Sequence, residues 1–524
     1  MHKVLVTEAL SEQGLARLRE STQVDVRQGL SQADLIQIIG DYDALIVRSR
    51  TKVTAEVLQA ATRLKIVARA GSGVDNIDME AATRRGVEVV NAPQGNTVAV
   101  AEHTLGLMLA LARRIPAADA AMKAGGWPKS KMMGVELRGK TLGIIGLGRI
   151  GSTLARRAAA FEMRLLAYDS FVSVDHAARL GVEMVPLDVL LREADFVSVH
   201  IPGNDRTRGL IDAQKLALMK PTAYLMNCAR GGIVDEAALL QALEENRLAG
   251  AALDVFTVEP PEPSELIRSE KVICTPHIAA QTAEAQESCA LDVAEQVVAV
   301  LSGKPARYPV NVPSLSSEEM ATLRPYIDLA TRLGSFYAQL AGNSLERLEL
   351  IYAGEIAGHD TALLRAAVLV GLLHQVVEEP INLVNADTLA AVRGISIAER
   401  RESESEHYAS LISVRAFSLG GERTVSGTLV RGRPHGVCID GFWLDFPLEG
   451  YLLVSEQTEQ PGMLGRVGTL LGQAGVNISY VQVGRFGRGS DGVMVLGLDE
   501  PASPALLAQL RTLPSVRVLR QVKL

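Results

Sequence analysis

The chain has 524 residues, 48% of them hydrophobic, and a net charge of -7, a length that at about 100 to 200 residues per domain calls for three or four cores. The acidic balance, with no Lys/Arg cluster interleaved with aromatics, excludes a nucleic-acid footprint, and no apolar run reaches the roughly 18 residues that would span a bilayer. Met1 to Val6 enters a strand pattern without a basic, signal-type lead, so a cytoplasmic location is expected; Cys228, Cys274, Cys289 and Cys438 lack metal-ligand or disulfide-framework spacing, so no metal is expected and all four are expected to stay reduced.

From residue 1 to about 310, short β-rich runs alternate with helical stretches, the pattern of parallel sheets covered on both faces. Residues 4–7, 44–47, 65–69 and 87–90 form a first series of strands. Residues 97–114 are apolar on nearly every side, which predicts a helix buried against the core or a partner subunit. A second series follows at 141–145, 164–168, 196–200, 223–227, 249–254 and 272–275. Two nucleotide-binding-like lobes with a ligand cleft between them are expected.

Within the second series, the run at 141–145 leads into Gly146-Leu147-Gly148-Arg149-Ile150-Gly151 and then a helical stretch at 152–161. The first glycine permits a tight strand-to-helix turn, the second lets backbone approach a pyrophosphate, and the third lets helix pack closely on strand. The helix N-terminus then faces the anion. A further apolar run ends in Asp169, roughly 20 residues beyond the last glycine, where a carboxylate can hold the ribose 2′-hydroxyl. A carboxylate there repels a 2′-phosphate, which selects NAD over NADP.

Three segments downstream each place a polar residue at or beyond a strand end: Arg230 in residues 227–232, Glu259 in 254–260 and His277 in 275–280. Strand ends face the cleft, so the three are expected to converge beside the nicotinamide. They suit oxidation of a small anionic 2-hydroxy acid. His277 takes the hydroxyl proton as hydride leaves, Glu259 orients the imidazole and favours its charged form, and Arg230 holds the substrate carboxylate through a bidentate contact.

After Gly303-Lys304-Pro305 a proline-bearing stretch connects to a region of different texture. That region mixes a helix at 361–377 with β-rich segments at 410–419 and 422–429. The mixed-charge run 399–406 reads as a solvated loop or helix end, and Arg431-Gly432-Arg433-Pro434-His435 as a basic turn, either a solvated hairpin or an anion contact. From Tyr451 a compact unit reads strand, turn at Gln460-Pro461-Gly462, amphipathic helix, then strand, turn and strand.

Over residues 1 to 312 the glycine motif and the Arg230, Glu259 and His277 segments closely resemble the D-isomer-specific 2-hydroxyacid dehydrogenase family. The resemblance implies that Arg230, Glu259 and His277 are the catalytic set, and that Asp254 hydrogen-bonds the nicotinamide carboxamide. It implies further that Gly146, Gly148, Arg149, Ile150, Gly151, Cys228, Ala229 and Ala280 line the cofactor. Substrate is then expected against the loops 48–50 and 69–76, at Arg48, Arg50, Arg69, Ser72 and Gly73, where the glycines leave backbone N–H groups free for a carboxylate and the arginines suit a phosphate. Asn96 is a further substrate contact, a hinge or a helix cap, and Lys131 matches a basic segment that reaches a neighbouring subunit's phosphate site. The last unit resembles an ACT domain, with Gln457, Glu459 and Asn477 at its effector corner; the Gln457-Thr458-Glu459 stretch departs from the usual residues there.

This layout resembles the long, ACT-bearing members of the family. It implies NAD-linked oxidation of D-3-phosphoglycerate to 3-phosphohydroxypyruvate, the first step of L-serine synthesis, with L-serine as effector. The alternatives are another D-2-hydroxyacid dehydrogenase, such as one interconverting 2-hydroxyglutarate and 2-oxoglutarate, or a non-enzymatic NAD-sensing co-regulator. The expected fold is α/β: two Rossmann-like doubly wound lobes, the NAD-binding domain (97–280) inserted in a split substrate domain (1–96 and 281–312). An α+β intervening domain (313–448) and a ferredoxin-like ACT domain (449–524) follow, and a homodimer or homotetramer is expected.

Overall fold

A computed structural model describes residues 1–524 apart from 314–316, 342–344, 375, 378–379, 419–420 and 488, so Gln375 and Leu419 of the expected segments lie outside the described residues. The first sheet contains β1 (Lys3–Val6), β2 (Gln23–Val26), β3 (Ala44–Val47), β4 (Ile66–Arg69) and β5 (Glu88–Asn91), all parallel, in the order β2-β1-β3-β4-β5. β3 reads Ala-Leu-Ile-Val and is buried throughout, as a central parallel strand covered on both faces must be. β2, polar and half-exposed, was not foreseen because an edge strand lacks that apolar run.

The second sheet contains β6 (Thr141–Ile145), β7 (Arg164–Tyr168), β8 (Glu183–Met184), β9 (Phe196–Val199), β10 (Tyr224–Asn227), β11 (Gly250–Leu253) and β12 (Val272–Cys274). Their order, β12-β11-β10-β9-β6-β7-β8, reverses between β6 and β9 and so opens a crevice at the carboxyl end of β6. The helix Thr97–Arg113 crosses into this lobe, where Val100, Leu107, Met108 and Leu111 share a core with Ile144 and Leu154. One face of this helix packs on the lobe, while Val98 is 52% exposed. The helix Ala283–Leu301 returns to the first lobe, packing Cys289, Val293 and Val297 against Val4, Ile46 and Ala68.

The chain leaves the first lobe along its own edge strand. Val310 N donates to Val89 O at 2.8 Å and Val89 N to Asn311 Oδ1 at 2.8 Å, so the connector runs beside β5. On this connector the Tyr308 ring lies 5.9 Å from the Arg149 guanidinium.

A third, mixed sheet has the order β14-β13-β15-β16-β17-β18, comprising β13 (Arg347–Gly354), β14 (Ser396–Glu402), β15 (Ser410–Ser418), β16 (Gly421–Val430), β17 (Arg433–Ile439) and β18 (Phe442–Pro447). The helices Ser317–Ala341 and Ala362–Leu373 bury Leu329, Leu333, Leu364 and Val368 in the core with its Leu350, Val414 and Val425. The charged run starting at Glu399 is thus no loop: its first half is the edge strand β14, where Glu399 accepts from Thr361 Oγ1 at 2.9 Å and Arg401 donates to the same hydroxyl at 2.9 Å. Arg431 and Gly432, both at positive φ, make the hairpin turn between β16 and β17.

The last sheet holds β19 (Tyr451–Thr458), β20 (Ile478–Arg485), β21 (Asp491–Leu498) and β22 (Val516–Lys523) in the antiparallel order β20-β21-β19-β22. With the helices Met463–Gln473 and Pro504–Arg511 between strands, this is a ferredoxin-like βαββαβ unit. Gln339 binds it back to the preceding domain, donating to Lys523 O at 2.8 Å and accepting from Lys523 N at 2.9 Å. Among the described residues no helix is long and apolar enough to cross a membrane.

Candidate active site

At the crevice, β6 runs into Gly146 at φ +96°, where a Cβ would sit 2.6 Å from His200 O. A Cβ on Gly151 would lie 2.1 Å from Gly146 O, so the loop and the following helix touch backbone to backbone. Gly148, by contrast, faces open space, and it starts the helix Arg149–Ala159 without any side-chain cap. The first amides of that helix therefore remain for an anion. Asp169, just past β7, accepts from Leu147 N at 2.8 Å and from Phe171 N at 2.8 Å, which fixes its carboxylate beside the loop. This cradle fits a dinucleotide. Behind it, burial pushes His200 down to about 4, so its imidazole is neutral; Nε2 meets Ser198 Oγ at 2.8 Å.

Between the lobes lies a cavity of about 560 Å³. The first lobe lines it with Arg48, Arg50, Lys52, Arg69 and Asn96, the second with Glu259, His277 and Ala280. His277 sits at φ +53°, held by its N–H on Asp254 O at 2.9 Å, and its Nδ1 is 2.7 Å from Glu259 Oε2. Burial works against the Glu259 carboxylate, but the His277 contact and the Phe256 amide outweigh it and hold the group below its usual range. Asp254 is fully buried and spends its oxygens on the loop carrying His277: Thr275 Oγ1 at 2.6 Å, Ile278 N at 2.9 Å and Ala279 N at 2.9 Å. Burial opposes this charge too, and the hydrogen bonds from His103, Thr275 and those amides overcome it, lowering the Asp254 pKa.

Arg230, just past β10, is not among the residues lining this cavity; it lies over Gly73, where a Cβ would be 1.9 Å from its Nη2. Its Nε donates to Asp75 Oδ2 at 2.9 Å and Nη1 to Ala229 O at 2.7 Å, leaving Nη2 and one Nη1 hydrogen for a ligand. Arg69 lies below its ordinary pKa, first through burial and then through the like charge of Arg230, and its Nε has no partner among the described residues. Asn96 stands before the helix Thr97–Arg113 but makes no capping bond; it donates to Ser72 Oγ at 3.2 Å, and its buried Oδ1 has no partner among the described residues.

Other expected site residues lie outside the cavity lining. Cys228 is buried behind β10, its thiol pushed up to about 12 by burial and so kept protonated. Lys131 lies in an exposed turn whose carbonyl accepts from Arg114 at 3.0 Å, and it does not line the cavity. In the last unit Gln457 is only 5% exposed, Glu459 pairs with Arg485 and accepts from Gly489 N at 3.0 Å, and Asn477 donates to Asp499 at 2.7 Å. Sequence reasoning missed Lys52, His103 and Glu8, and it placed Asp75 and Asn76 in the substrate loop without their partners, Arg230 and the Arg48–Thr51 backbone. Of the residues missed, only Lys52 carried a local signal, the positive charge beside Arg48 and Arg50.

Three family models match in chain order. They are the NAD-binding domain of the D-isomer specific 2-hydroxyacid dehydrogenases over residues 105–279, the D-3-phosphoglycerate dehydrogenase intervening domain over 322–439, and the ACT domain over 451–515. The D-3-phosphoglycerate dehydrogenase of Synechocystis is 44% identical over all of this chain and 95% of its own length. Those of Methanocaldococcus jannaschii and Bacillus subtilis are 42% and 40% identical, each over the whole of both chains. The chain belongs to the long-form D-3-phosphoglycerate dehydrogenase family. As in that family, it couples an NAD-dependent oxidoreductase core to a C-terminal ACT regulatory unit. Among solved structures, the Aquifex aeolicus D-lactate dehydrogenase complexed with NAD and lactic acid matches at 29% identity and TM-score 0.54, covering 59% of this chain and all of that one. The Escherichia coli D-lactate dehydrogenase matches at 28% identity and TM-score 0.52, over 59% of this chain and 99% of that one. The matched part of this chain thus has the length of a whole D-lactate dehydrogenase, and the intervening and ACT units lie beyond it.

Proposed function

We propose that the cavity between the lobes oxidises D-3-phosphoglycerate to 3-phosphohydroxypyruvate. What carries the reading is the 2.7 Å contact between His277 Nδ1 and Glu259, set in a cavity lined by Arg48, Arg50 and Arg69. With Nδ1–H donated to the carboxylate, Nε2 is the acceptor that takes the C2 hydroxyl proton, and Glu259 stabilises the resulting imidazolium. Bound NAD supplies the hydride acceptor. Arg230 holds the substrate carboxylate through Nη2 and its remaining Nη1 hydrogen, Asn96 Oδ1 accepts a substrate or water hydrogen, and Arg48 and Arg50 meet the phosphate.

Around this site we assign residues 1–96 and 281–312 to the substrate domain, 97–280 to the NAD domain, 313–448 to the intervening domain and 449–524 to the ACT domain. L-Serine is the proposed effector, with Gln457, Glu459 and Asn477 at its corner. An ammonium reaching Glu459 has to compete with Arg485. The exposed side of the helix Thr97–Arg113 supports pairing with a second copy, as homodimer or homotetramer, and Lys131 would then serve the partner's site.

His277→Ala tests the chemistry. Turnover of D-3-phosphoglycerate, followed as NADH, is expected to fall by at least about 100-fold while NAD affinity stays near wild type. Turnover retained within a few-fold removes His277 from the mechanism.

A further inference from the structure

The loop after β3 that carries Arg48 and Arg50 is held by two residues far away in sequence. Glu8, immediately beyond β1, inserts its carboxylate among the loop's amides: Oε1 accepts from Arg48 N at 2.9 Å, Arg50 N at 3.2 Å and Thr51 N at 3.0 Å, and Oε2 from Arg50 N at 3.3 Å. Asn76 holds the carbonyl side of the same loop, donating to Arg48 O at 2.8 Å and Thr51 O at 2.7 Å. Thr7 adds a hydroxyl contact to Thr51 at 2.8 Å. Successive amides turned to one point form an anion nest, and here the nest is filled by the protein's own carboxylate. A substrate anion therefore finds no free amide at Arg48, Arg50 or Thr51. It has to be met by the guanidinium groups, whose backbone is fixed before it arrives.

We propose that Glu8 is the positioning residue of the substrate pocket: by occupying the amide nest it presets Arg48 and Arg50 for the phosphate end of the substrate. The inference rests on the reading of those arginines as phosphate contacts. Its energetic logic is preorganisation, because a loop that had to order on binding would weaken affinity without touching the proton and hydride steps.

The test is steady-state kinetics of the full chain with NAD and D-3-phosphoglycerate, with NADH binding followed by fluorescence. For Glu8→Ala, KM for the acid is expected to rise by about tenfold or more while kcat stays within about threefold, the pattern of lost ground-state binding. NADH affinity is expected to stay unchanged. Glu8→Gln, which still offers one oxygen to the amides, is expected to recover most of the loss, and it keeps the test valid if the alanine variant fails to fold. Arg48→Ala and Arg50→Ala run alongside. If either raises KM and Glu8→Ala does not, the positioning role falls and the phosphate reading stands. If neither raises KM, the phosphate reading falls and takes the positioning role with it. Equal losses in kcat and NADH affinity for Glu8→Ala would mark a merely structural residue and overturn the proposal.

Discussion

Glu88 stands at the start of β5, half-buried with no hydrogen bond to its carboxylate among the described residues, and burial alone lifts its pKa from 4.5 to about 7. The sign follows directly. An acid whose folded pKa is raised contributes full stability only below its unfolded value, and that contribution is lost as pH climbs through the folded one. Glu88→Gln is therefore expected to raise the thermal midpoint at pH 8 and leave it nearly unchanged at pH 4.5, checked by melting curves at the two values; an equal shift at both would show that charge is not the cause. The candidate site was legible at this scale where chemistry is written locally. Arg230, Glu259 and His277 each follow a strand end and could be read from one segment. Glu8 could not, and Asp75 and Asn76 were legible as members of the 69–76 loop but not in their roles, because the partners of all three, the Arg48–Thr51 backbone or Arg230, are brought alongside only by the folded chain.

Among the elements, the turn from β6 into the helix Arg149–Ala159 leaves the least room for change. A methyl at Gly151 would have to displace the Gly146 carbonyl, 2.1 Å away, and with it the amides facing the pyrophosphate. Gly151→Ala is expected to weaken NADH by at least about tenfold, about 1.4 kcal/mol, in a fluorescence titration; an unchanged affinity would mean that the loop has another way to pack. Parallel strands buried on both faces, such as β3 and β6, announce themselves as apolar runs. Edge strands do not. β14 hides in Ser-Ile-Ala-Glu-Arg-Arg-Glu because its charged side chains are held sideways, Glu399 by an ion pair with Arg365 and Arg401 by a hydrogen bond to the Thr361 hydroxyl. The close of the helix Thr97–Arg113 was missed by a single residue, Arg114, which at φ +52° ends it.

Across the whole molecule, the catalytic core meets the intervening domain at the end of the first sheet away from the catalytic cavity. Gly86, at φ +69°, brings its carbonyl to Asn382 Nδ2 at 2.7 Å, and Asn385 Nδ2 reaches Arg84 O at 3.4 Å. Asn382→Ala is expected to speed proteolytic separation of the core from the C-terminal units while turnover stays within about twofold; digestion at the wild-type rate would show that the seam depends on other contacts. The connector beside β5 has a different consequence. A parallel sheet ends in a row of unpaired N–H and C=O groups that invites another chain to add on. Here the outgoing chain itself, through Val310 and Asn311, covers that row before it departs for the regulatory units. The same few residues that lead to regulation thus guard the core against aggregation through its open edge.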